Sequence, residues 1–381
     1  MSHRSLARQM PLRRGIAMGL LLLGLAALAG PAAAAAARTF VSAANGSDAN
    51  AATNCGPTAP CRTFATAMSV TSAAGEVVVL TSGGYGPFTV TQSVTINAPV
   101  GVYAGIAVAT GAGITINGSA ISVTLKGLSI NGTGGTYGIY LQSGASLTVR
   151  GMTISNFPGT TGGTSSAPTL VPAYGILVAA PADVKVLDTT IRDSFNAIWI
   201  STGAHAVIEH TRLLGTINPN STIGGSGFAA AAPYSIYNGI MTFNDDATST
   251  TTATVRDCYA DDGVYEAYVA QSIVAGGTAK IYVDHSTSSG GFLGVVALGN
   301  GTTPGTVFAA VTDSLFSLNG YASIYDSGPT TALEMSGNTI NYAAQWAVYP
   351  GSTTFTYYNN AASNTNASVQ GVSGITQVVL K

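Results

Sequence analysis

The chain has 381 residues, of which 46% are hydrophobic and only 8% are charged, and 47 of them are Gly. Intrinsic disorder requires few apolar residues, whereas Val and Ile recur throughout this sequence in alternating patterns, so the composition indicates a Gly-rich all-β fold. Four of the 14 Lys and Arg lie at the N-terminus, which leaves ten against 16 Asp and Glu, a net charge of −6. The basic footprint of a nucleic-acid-binding protein is therefore absent.

The N-terminal segment has the layout of an export signal. Four arginines precede an apolar run from residue 16 to residue 28, and an alanine tract then offers a cleavage context that ends near Ala37. The pair Arg13 and Arg14 alone does not make a twin-arginine motif, so we expect the general secretory route. No second long apolar run follows. We therefore expect a secreted mature chain (extracellular, periplasmic or at the cell surface) that does not span a membrane.

The three cysteines divide into a pair and a single residue. Cys55 and Cys61 flank a short turn-forming stretch, and in an oxidising compartment we expect them to form a disulfide. Cys258 falls within a strand pattern and has no electropositive neighbour, so we expect a buried apolar thiol rather than a nucleophile.

Two short alternating stretches separated by a polar corner recur along the chain. The copies are VTLKGLSI, LTVRGMTI, VKVLDTTI, AVIEHTRL, ATVRDCYA, IYVDHSTS, AAVTDSLF and LEMSGNTI. Their equivalent positions, called the anchors below, are Leu125, Val149, Val186, Ile208, Val255, Val283, Val311 and Met335. Five of the seven steps between anchors measure 22 to 28 residues, which is the signature of a structural repeat. A third stretch, such as YGIYL or NAIWI, completes each copy.

Three strands per repeat predict a single-stranded, right-handed parallel β-helix, in which every coil adds one strand to each of three sheets and strands stack about 4.8 Å apart. The alternation predicts three inward-facing rows of side chains, the first of which contains the anchors. The second row contains Ile130, Ile154, Ile191, Leu213, Phe316 and Ile340, and the third contains Ile139, Ile176, Ile198, Ile240 and Val295. Leucine-rich and propeller repeats have other periods and signature residues, which are missing here.

Four N-terminal segments, FVSAANGSDAN, PCRTFATAM, GEVVVL and GGYGPFTV, carry a family resemblance. The matching residues are Gly46, Ser47, Asp48, Asn50, Pro60, Thr63, Phe64, Gly75, Glu76, Val77, Gly84 and Tyr85. Together they resemble the opening module of bacterial proteins of the pectin-lyase-like β-helix superfamily. The resemblance implies a cap on the first coil, and a cap is physically necessary because an open parallel edge would recruit other strands.

Repeat and resemblance together predict four segments: an export signal (1–37), an N-terminal cap with the first coil (38–95), the parallel β-helix (96–354) and a C-terminal cap or tail (355–381). Many members of the superfamily cleave or bind acidic polysaccharides, but a fold does not transmit an activity. The paired Asp, Gly-His-Gly and Arg-x-Lys set of polygalacturonase-like hydrolases is missing, as is the Arg or Lys with a calcium-binding Asp cluster of pectate lyases. The acidic pairs at 245–246 and 261–262 stand without such companions.

The residue two positions after the anchor alternates between acid and imidazole over five consecutive repeats. These residues, called the corner file below, are Asp188, His210, Asp257, His285 and Asp313. At the strand spacing of a parallel sheet each His would lie between two carboxylates, which favours its imidazolium form. One hypothesis is that the corner file is catalytic and supplies proton transfer for lyase or hydrolase chemistry. The alternative is that the alternation avoids repulsion between like side chains in a parallel stack.

Two further registers contain charged residues. Arg256 is expected between Glu209 and Asp284 of the neighbouring repeats, in an ion ladder that contributes little to stability. Asp193 and Asp262 share a register two repeats apart, which is near the upper limit for the carboxylates of an inverting glycosidase.

Both long steps between anchors place an insertion between the second and third strands of a repeat. The two insertions predict loops beside the third sheet, whose outward positions read Tyr140, Leu177, Trp199 and Met241. Flat aromatic faces flanked by polar loops suit sugar rings, so we predict a substrate-binding set of Tyr140, Trp199, Met241 and Arg256. The alternative is that the loops fold down and cover this apolar stripe.

The sequence thus predicts a secreted, monomeric protein that binds a polysaccharide or cell-surface glycan along its outer face, and it leaves open whether a lyase or hydrolase reaction follows. The alternative is a non-catalytic cell-surface adhesin or structural protein that presents loops, and a third hypothesis is a trimeric phage-like or autotransported assembly module. No nucleotide, haem or flavin motif occurs, so no cofactor is expected. No metal ligands are predicted, and calcium binding is left open.

Overall fold

A computed structural model of the chain describes residues 35–164, 167–201, 203–217, 234–299, 304–351, 354–358 and 360–363. The predicted export signal lies outside these residues except for 35–37. The part of the chain described here contains no helix that is long and apolar enough to cross a membrane.

Nearly all described strands belong to three parallel sheets, which the chain visits in rotation. The first sheet contains 12 described strands, which are Ala36–Val41, Thr71–Val79, Val94–Asn97, Ser122–Lys126, Ser146–Arg150, Asp183–Leu187, His205–Glu209, Thr250–Arg256, Thr278–Asp284, Thr306–Thr312, Thr331–Ser336 and Thr354–Tyr358. The second contains 11, which are Gly83–Gly84, Ala104–Val108, Leu128–Gly132, Thr153–Phe157, Thr190–Ser194, Arg212–Leu214, Tyr259–Ala260, Thr287–Ser289, Leu315–Ser317, Thr339–Asn341 and Ala361–Ser363. The third contains 10, which are Phe88–Val90, Ala112–Asn117, Tyr137–Ser143, Tyr174–Val178, Asn196–Ile200, Ile236–Asn244, Val264–Ser272, Leu293–Gly299, Ala322–Ser327 and Trp346–Gly351. The predicted all-β parallel β-helix is confirmed.

The first sheet pairs in the register that the repeat predicts. All the anchors form one continuous file of paired and buried residues, from Leu125 through Val149, Val186, Ile208, Val255, Val283 and Val311 to Met335. The file continues upstream through Val77 and Ile96, two coils that the repeat pattern does not reveal. Downstream, Met335 pairs with Tyr357 of the next strand.

The second and third rows also stack as predicted, but the second row loses its large side chains in two coils. Ala260 and Ser288 occupy those places, and the coil of Ala260 carries Tyr268 in its third row. Tyr268 is fully buried, and its hydroxyl donates a hydrogen bond of 2.8 Å to the carbonyl of Thr287 in the next coil. A large ring from the third sheet therefore fills the space that small residues leave in the second, as close packing requires.

A small residue precedes each member of the third inward-facing row from Ile114 to Val348. A Cβ atom on Gly138 would lie 2.5 Å from the carbonyl oxygen of Gly175, and one on Gly294 would lie 2.2 Å from that of Ser323. The backbones of successive coils approach so closely here that only small side chains fit, which explains the recurring Gly, Ala or Ser in this part of the repeat.

The corner between the first and second sheets has a left-handed backbone conformation in eight described coils. The φ angles are 69° at Gly127, 61° at Gly151, 51° at Asp188, 49° at His210, 52° at Asp257, 46° at His285, 45° at Asp313 and 68° at Gly337. This conformation is strained for most residues with a Cβ, and Gly, Asn, Asp and His tolerate it best. The backbone requirement therefore explains on its own why only Gly, Asp and His occupy this position.

Residues of the superfamily resemblance build the N-terminal cap. The carboxylate of Asp48, at the start of a 3-10 turn (Asp48–Thr53), accepts hydrogen bonds from the backbone N–H groups of Arg62 and Thr63 at 2.9 and 3.0 Å. The hydroxyl of Thr63 accepts the N-terminal hydrogen bond of the short helix Phe64–Ser69. The motif thus serves to fix the chain that covers the first coil.

The cysteines lie as predicted. Cys55 and Cys61 form a disulfide within the cap. Cys258 is a buried free thiol, and burial raises its pKa to about 12. A thiol with such a pKa is not a nucleophile at neutral pH.

The corner conformation predicts how His210 tolerates substitution. His210→Val should lower the free energy of unfolding by about 1–2 kcal/mol, because a β-branched residue is strained at positive φ. His210→Gly should change it by less than about 1 kcal/mol, since Gly removes the strain but adds unfolded-state entropy. Urea denaturation measures both effects, and Glu209→Val on the adjoining strand is the control for β-branching alone. If His210→Gly and His210→Val lower the free energy of unfolding equally, this position requires the imidazole and not the left-handed backbone conformation.

Candidate functional site

The corner file brings its acids and imidazoles together, but on an exposed edge. Nδ1 and Nε2 of His210 each lie 3.9 Å from a carboxylate oxygen, of Asp188 and Asp257 respectively. The side chain of His210 is 62% exposed and those of the two acids are 47% and 44% exposed. Solvent and salt screen ion pairs of this kind, so their contribution to stability is small.

His285 pairs with a different acid from the one that the alternation predicts. Its Nδ1 lies 2.9 Å from Oδ1 of Asp284, the preceding residue on the outer side of the first sheet. This hydrogen bond, followed by the charge of Asp284, raises the pKa of His285, whereas Asp313 and Asp257 contribute less. Burial acts to raise the pKa of Asp284, but hydrogen bonds from Thr312, His285 and Arg256 hold it below its usual value.

One group of described residues has the geometry of a metal site. Asp284, His285 and Asp313 each offer a ligand atom, and these atoms lie within 4.8 Å of one another. Oδ1 of Asp284 already accepts from Thr312 at 2.7 Å, and its Oδ2 lies 3.2 Å from Nε of Arg256. A cation would have to displace these contacts, so the group is an ion-pair network as it stands.

The predicted substrate-binding set is divided between two sheets. Arg256 lies on the outer side of the first sheet between Glu209 and Asp284, as its register predicts. Tyr140, Trp199 and Met241 share one outward file of the third sheet through Leu177. The catalytic role of the corner file and the binding role of Arg256 stay predictions, and these residues lie on a different side of the coil from the tyrosine and tryptophan.

The outward file of the third sheet changes character along its length. Met241, Val269 and Val296 point outward yet are only 2%, 0% and 0% exposed. They form an outer apolar cluster against which Trp199 and Tyr325 pack. Met241 therefore belongs to packed structure and offers no surface to a ligand.

Five partly exposed rings cover the earlier coils of the same face. These rings, called the aromatic belt, are Tyr137, Tyr140, Tyr174, Trp199 and Phe243. Tyr137 stacks on Tyr140 and Tyr174 with centroid separations of 4.8 and 5.7 Å. Trp199 contacts the edge of Tyr174 at 5.7 Å and packs on Phe243 at 5.1 Å. The belt presents a continuous aromatic surface over successive coils.

A second set of rings stacks where the chain enters the third sheet. This ring ladder consists of Phe195, Tyr237, Tyr265, Phe292 and Tyr321. Its successive centroids are 5.3, 4.9, 4.7 and 5.5 Å apart, with interplanar angles of 16° or less. The ladder was not predicted from the sequence, although each of its rings directly precedes the third stretch of its repeat.

A cleft of about 350 Å³ lies beside the first ring of the ladder. The loop at 132–136, Asn156, Pro158 and Pro172 line it, without a charged side chain. A Cβ atom on Gly159, which also lines the cleft, would lie 3.5 Å from Phe195. The first predicted insertion forms the adjoining antiparallel hairpin of Thr160–Thr164 and Ala167–Val171. Most of the second insertion (218–233) lies outside the described residues.

Three acids lie near the ring ladder at the base of the second insertion. Asp193 accepts hydrogen bonds of 2.7 Å from the hydroxyls of Thr216 and Ser235. Burial raises the pKa of Asp261, and the negative charges of Asp262 and Asp193 raise it further. Asp193 and Asp261 thus hold the ends of the insertion through hydrogen bonds.

Glu266 is a carboxyl group on the third sheet that sequence analysis did not single out. It continues a file of Asn196 and Asn238, in which the amide of Asn238 donates a 2.8 Å hydrogen bond to that of Asn196. Glu266 is only 6% exposed, and burial raises its pKa to about 8. The group is therefore protonated and uncharged over most of the physiological pH range.

No protein-family model and no curated protein matches this chain. Among solved structures, a rhamnogalacturonan lyase is similar with a TM-score of 0.41 and 11% identity, over 90% of this chain and 84% of the lyase. The catalytic unit of a GH87 α-1,3-glucanase from Streptomyces thermodiastaticus strain HF3-3 gives 0.40 and 13%, over 81% of this chain and 62% of that one. A GH87 α-1,3-glucanase catalytic domain in complex with tetrasaccharides gives 0.40 and 10%, over 78% and 64%.

The chain spans less than two-thirds of the length of either glucanase structure. Likeness at this level does not transfer an activity. The three parallel sheets define the fold as a parallel β-helix.

The pairing of His285 predicts the order in which its neighbours affect its titration. Because its pKa is raised in the folded protein, His285 stabilises the fold below the unfolded pKa, and this contribution is lost as pH rises through the folded pKa. Asp284→Asn should lower the titration midpoint of His285, measured by the NMR shift of its imidazole protons, more than Asp313→Asn does. Equal shifts in the two variants would contradict the assigned pairing.

The burial of Glu266 predicts a stability that falls with pH. The folded protein binds one more proton than the unfolded chain between the ordinary pKa of 4.5 and the folded value of about 8. Stability should therefore fall by about 1.4 kcal/mol per pH unit in this window. Glu266→Gln should remove this slope and be more stable than wild type at pH 9, as measured by denaturant unfolding. The exposed Glu334→Gln is the control and should keep the slope; a wild-type slope in Glu266→Gln would contradict the prediction.

Proposed function

We propose that this protein binds a polysaccharide chain along the outer side of its third sheet. The observation that carries the proposal is the aromatic belt, in which five partly exposed rings follow one another over successive coils. Sugar rings pack their apolar faces on flat aromatic side chains, and hydroxyl and amide groups nearby bind their oxygen atoms. A binding surface that continues over successive coils suits an extended polymer better than a compact ligand.

The surroundings of the aromatic belt support a groove rather than a flat patch. The uncharged cleft of about 350 Å³ is lined by the loop at 132–136, which leads into Tyr137, and by residues at the base of the first insertion's hairpin, which leads into Tyr174. Loops that flank a rigid scaffold are the usual position of binding residues. We infer that the polymer lies on the belt with the hairpin on one side.

We further propose that the mature protein acts outside the cytoplasm as a monomer. The disulfide between Cys55 and Cys61 and the signal-like N-terminal sequence support an oxidising compartment. The monomeric state is an expectation that sedimentation in solution would test.

Cleavage of the polymer is the second candidate function. The observation that favours it is His210, whose two ring nitrogens both face carboxylates at 3.9 Å. The corner file lies between the first and second sheets, so cleavage there would act on a polymer segment away from the aromatic belt. If the file is catalytic, His210→Gln should abolish the release of new chain ends, whereas an adhesin releases none with either protein.

Replacing a ring of the belt tests the proposed binding. Trp199→Ala should weaken binding to a recognised polysaccharide by about tenfold, because the loss of one stacking surface amounts to about 1.4 kcal/mol. Affinity electrophoresis with a panel of soluble polysaccharides measures the change. Tyr282→Ala removes an aromatic ring that is 38% exposed on the first sheet and should leave binding unchanged.

The two variants separate the belt from other surfaces. If Tyr282→Ala loses as much affinity for the polysaccharide as Trp199→Ala, the binding surface is not confined to the aromatic belt. If Trp199→Ala keeps wild-type affinity, the belt does not bind the polysaccharide. Circular dichroism of each variant shows whether the fold is intact.

A further inference from the structure

Among the described residues, Lys and Arg are absent from the strands of the third sheet. In the sequence, no Lys or Arg occurs in any strand of the third sheet or in the turns that enter and leave these strands. The chain from 213 to 255 and the chain from 281 to 380 contain none at all. The aromatic belt and the ring ladder both belong to this side.

The basic residues lie on the other surfaces. Those in strands of the first sheet are Arg38, Lys126, Arg150, Lys185, Arg256 and Lys280, those in the second sheet are Arg192 and Arg212, and Arg62 belongs to the cap. Side chains on the outer sides of these sheets point away from the third sheet. Beyond a Debye length of about 8 Å at physiological salt they do little for a ligand on that face.

The charged residues that do lie along the third sheet are acids. Asp193 lies near the end of the second-sheet strand Thr190–Ser194, and Asp261 and Asp262 occupy the turn that enters the third-sheet strand Val264–Ser272. Asp245 and Asp246 follow the strand Ile236–Asn244, and Glu266 and Asp326 lie within the third sheet. Tyr234 contacts the ring of Tyr265 at 5.5 Å and senses the charge of Asp262, so this acid lies beside the ring ladder. Glu266 is buried, which raises its pKa to about 8, so it is uncharged at neutral pH and supplies no cation to this face.

A polymer with a carboxylate on each sugar would therefore meet no opposite charge on this face. Proteins bind carboxylates and phosphates through Arg and Lys, with Arg preferred for paired hydrogen bonds. Like charges placed opposite each other across an interface act against binding and exclude the wrong partner. The aromatic belt itself offers tyrosine hydroxyls and aromatic faces, both of which suit hydroxyl-bearing sugars.

Resting on the proposed function, we propose that the polysaccharide bound by the aromatic belt is uncharged, and that the third-sheet face excludes polyuronates and other polyanionic glycans. The superfamily resemblance implies acidic polysaccharides as frequent ligands, and the charge distribution of this chain points the other way.

The test compares polymers that share a backbone and differ in charge. The probes are soluble α- and β-glucans, each with its carboxymethylated derivative, and polygalacturonate with its carboxyl-reduced, uncharged form. With the full-length mature protein at low ionic strength, the uncharged member of a recognised pair should bind at least about tenfold more tightly than its anionic partner. Trp199→Ala should weaken the binding of the uncharged member, and added salt should narrow the difference within the pair.

A graded charge series at Asp262 provides an independent measurement. Asp262→Asn and then Asp262→Lys should raise the affinity for the anionic member stepwise, up to about tenfold, and leave that for the uncharged member unchanged. Lys185→Asn, which removes a cation from the first sheet, is the control and should change neither. An unaltered anionic affinity across the Asp262 series would overturn the proposed exclusion.

The outcomes separate this proposal from the proposed function. Tighter binding of the anionic members that is lost in Trp199→Ala would overturn the charge selection and keep the binding face. Binding that is indifferent to Trp199→Ala, or no binding to any probe, would overturn the proposed function and this inference with it. Preference for the uncharged members with loss in Trp199→Ala supports both.

Discussion

Each residue of a coil lies over its counterpart in the next coil at the spacing of parallel strands, about 4.8 Å, so every side chain meets two equivalents of itself. In the core this repetition favours a file of apolar residues from Val77 to Met335, all of them branched except Met335 itself. At the surface it stacks rings on rings in the ring ladder. Stacked like charges repel each other, and the first sheet avoids this repulsion by alternating Glu209, Arg256 and Asp284. The third sheet avoids the same repulsion because very few of its residues are charged.

The fold was predictable because periodicity in the sequence becomes proximity in space. The repeat pattern does not show the coils at Val77 and Ile96, which the family resemblance and the predicted bounds include, for a physical reason: neither has Gly, Asp or His two positions later, where Val79 and Ala98 stand instead. Without the left-handed corner the sequence lacks the polar break that marks the repeat. The ring ladder was not predicted because its aromatic residues precede the strand motif. The sequence does not show whether an aromatic residue at that place is stacked on its neighbours, buried in the core or exposed.

The candidate site was less predictable than the fold because one residue type serves two purposes. Asp and His are suited to proton transfer and are also among the few residues that accept positive φ, as Asp188 and His210 do. Sequence alone does not separate these purposes, whereas Gly127 and Gly151 at the same corner favour the conformational one. Likewise Met241 and Trp199 share an outward file, but what packs on each differs, so one is buried and the other is partly exposed.

The large side chain of Tyr268 compensates for the small side chains of Ala260 and Ser288, and this compensation determines which substitutions the core can accept. The total volume of the inward-facing side chains is conserved over the cross-section of the β-helix, and not at any single position of the sequence. Two parallel β-helices with equally well packed cores can therefore differ at each aligned position, provided that volume lost from a side chain of one sheet is gained by a side chain of another sheet in the same cross-section. Paired changes across a slice, rather than single replacements, are the natural steps by which this core can be remodelled.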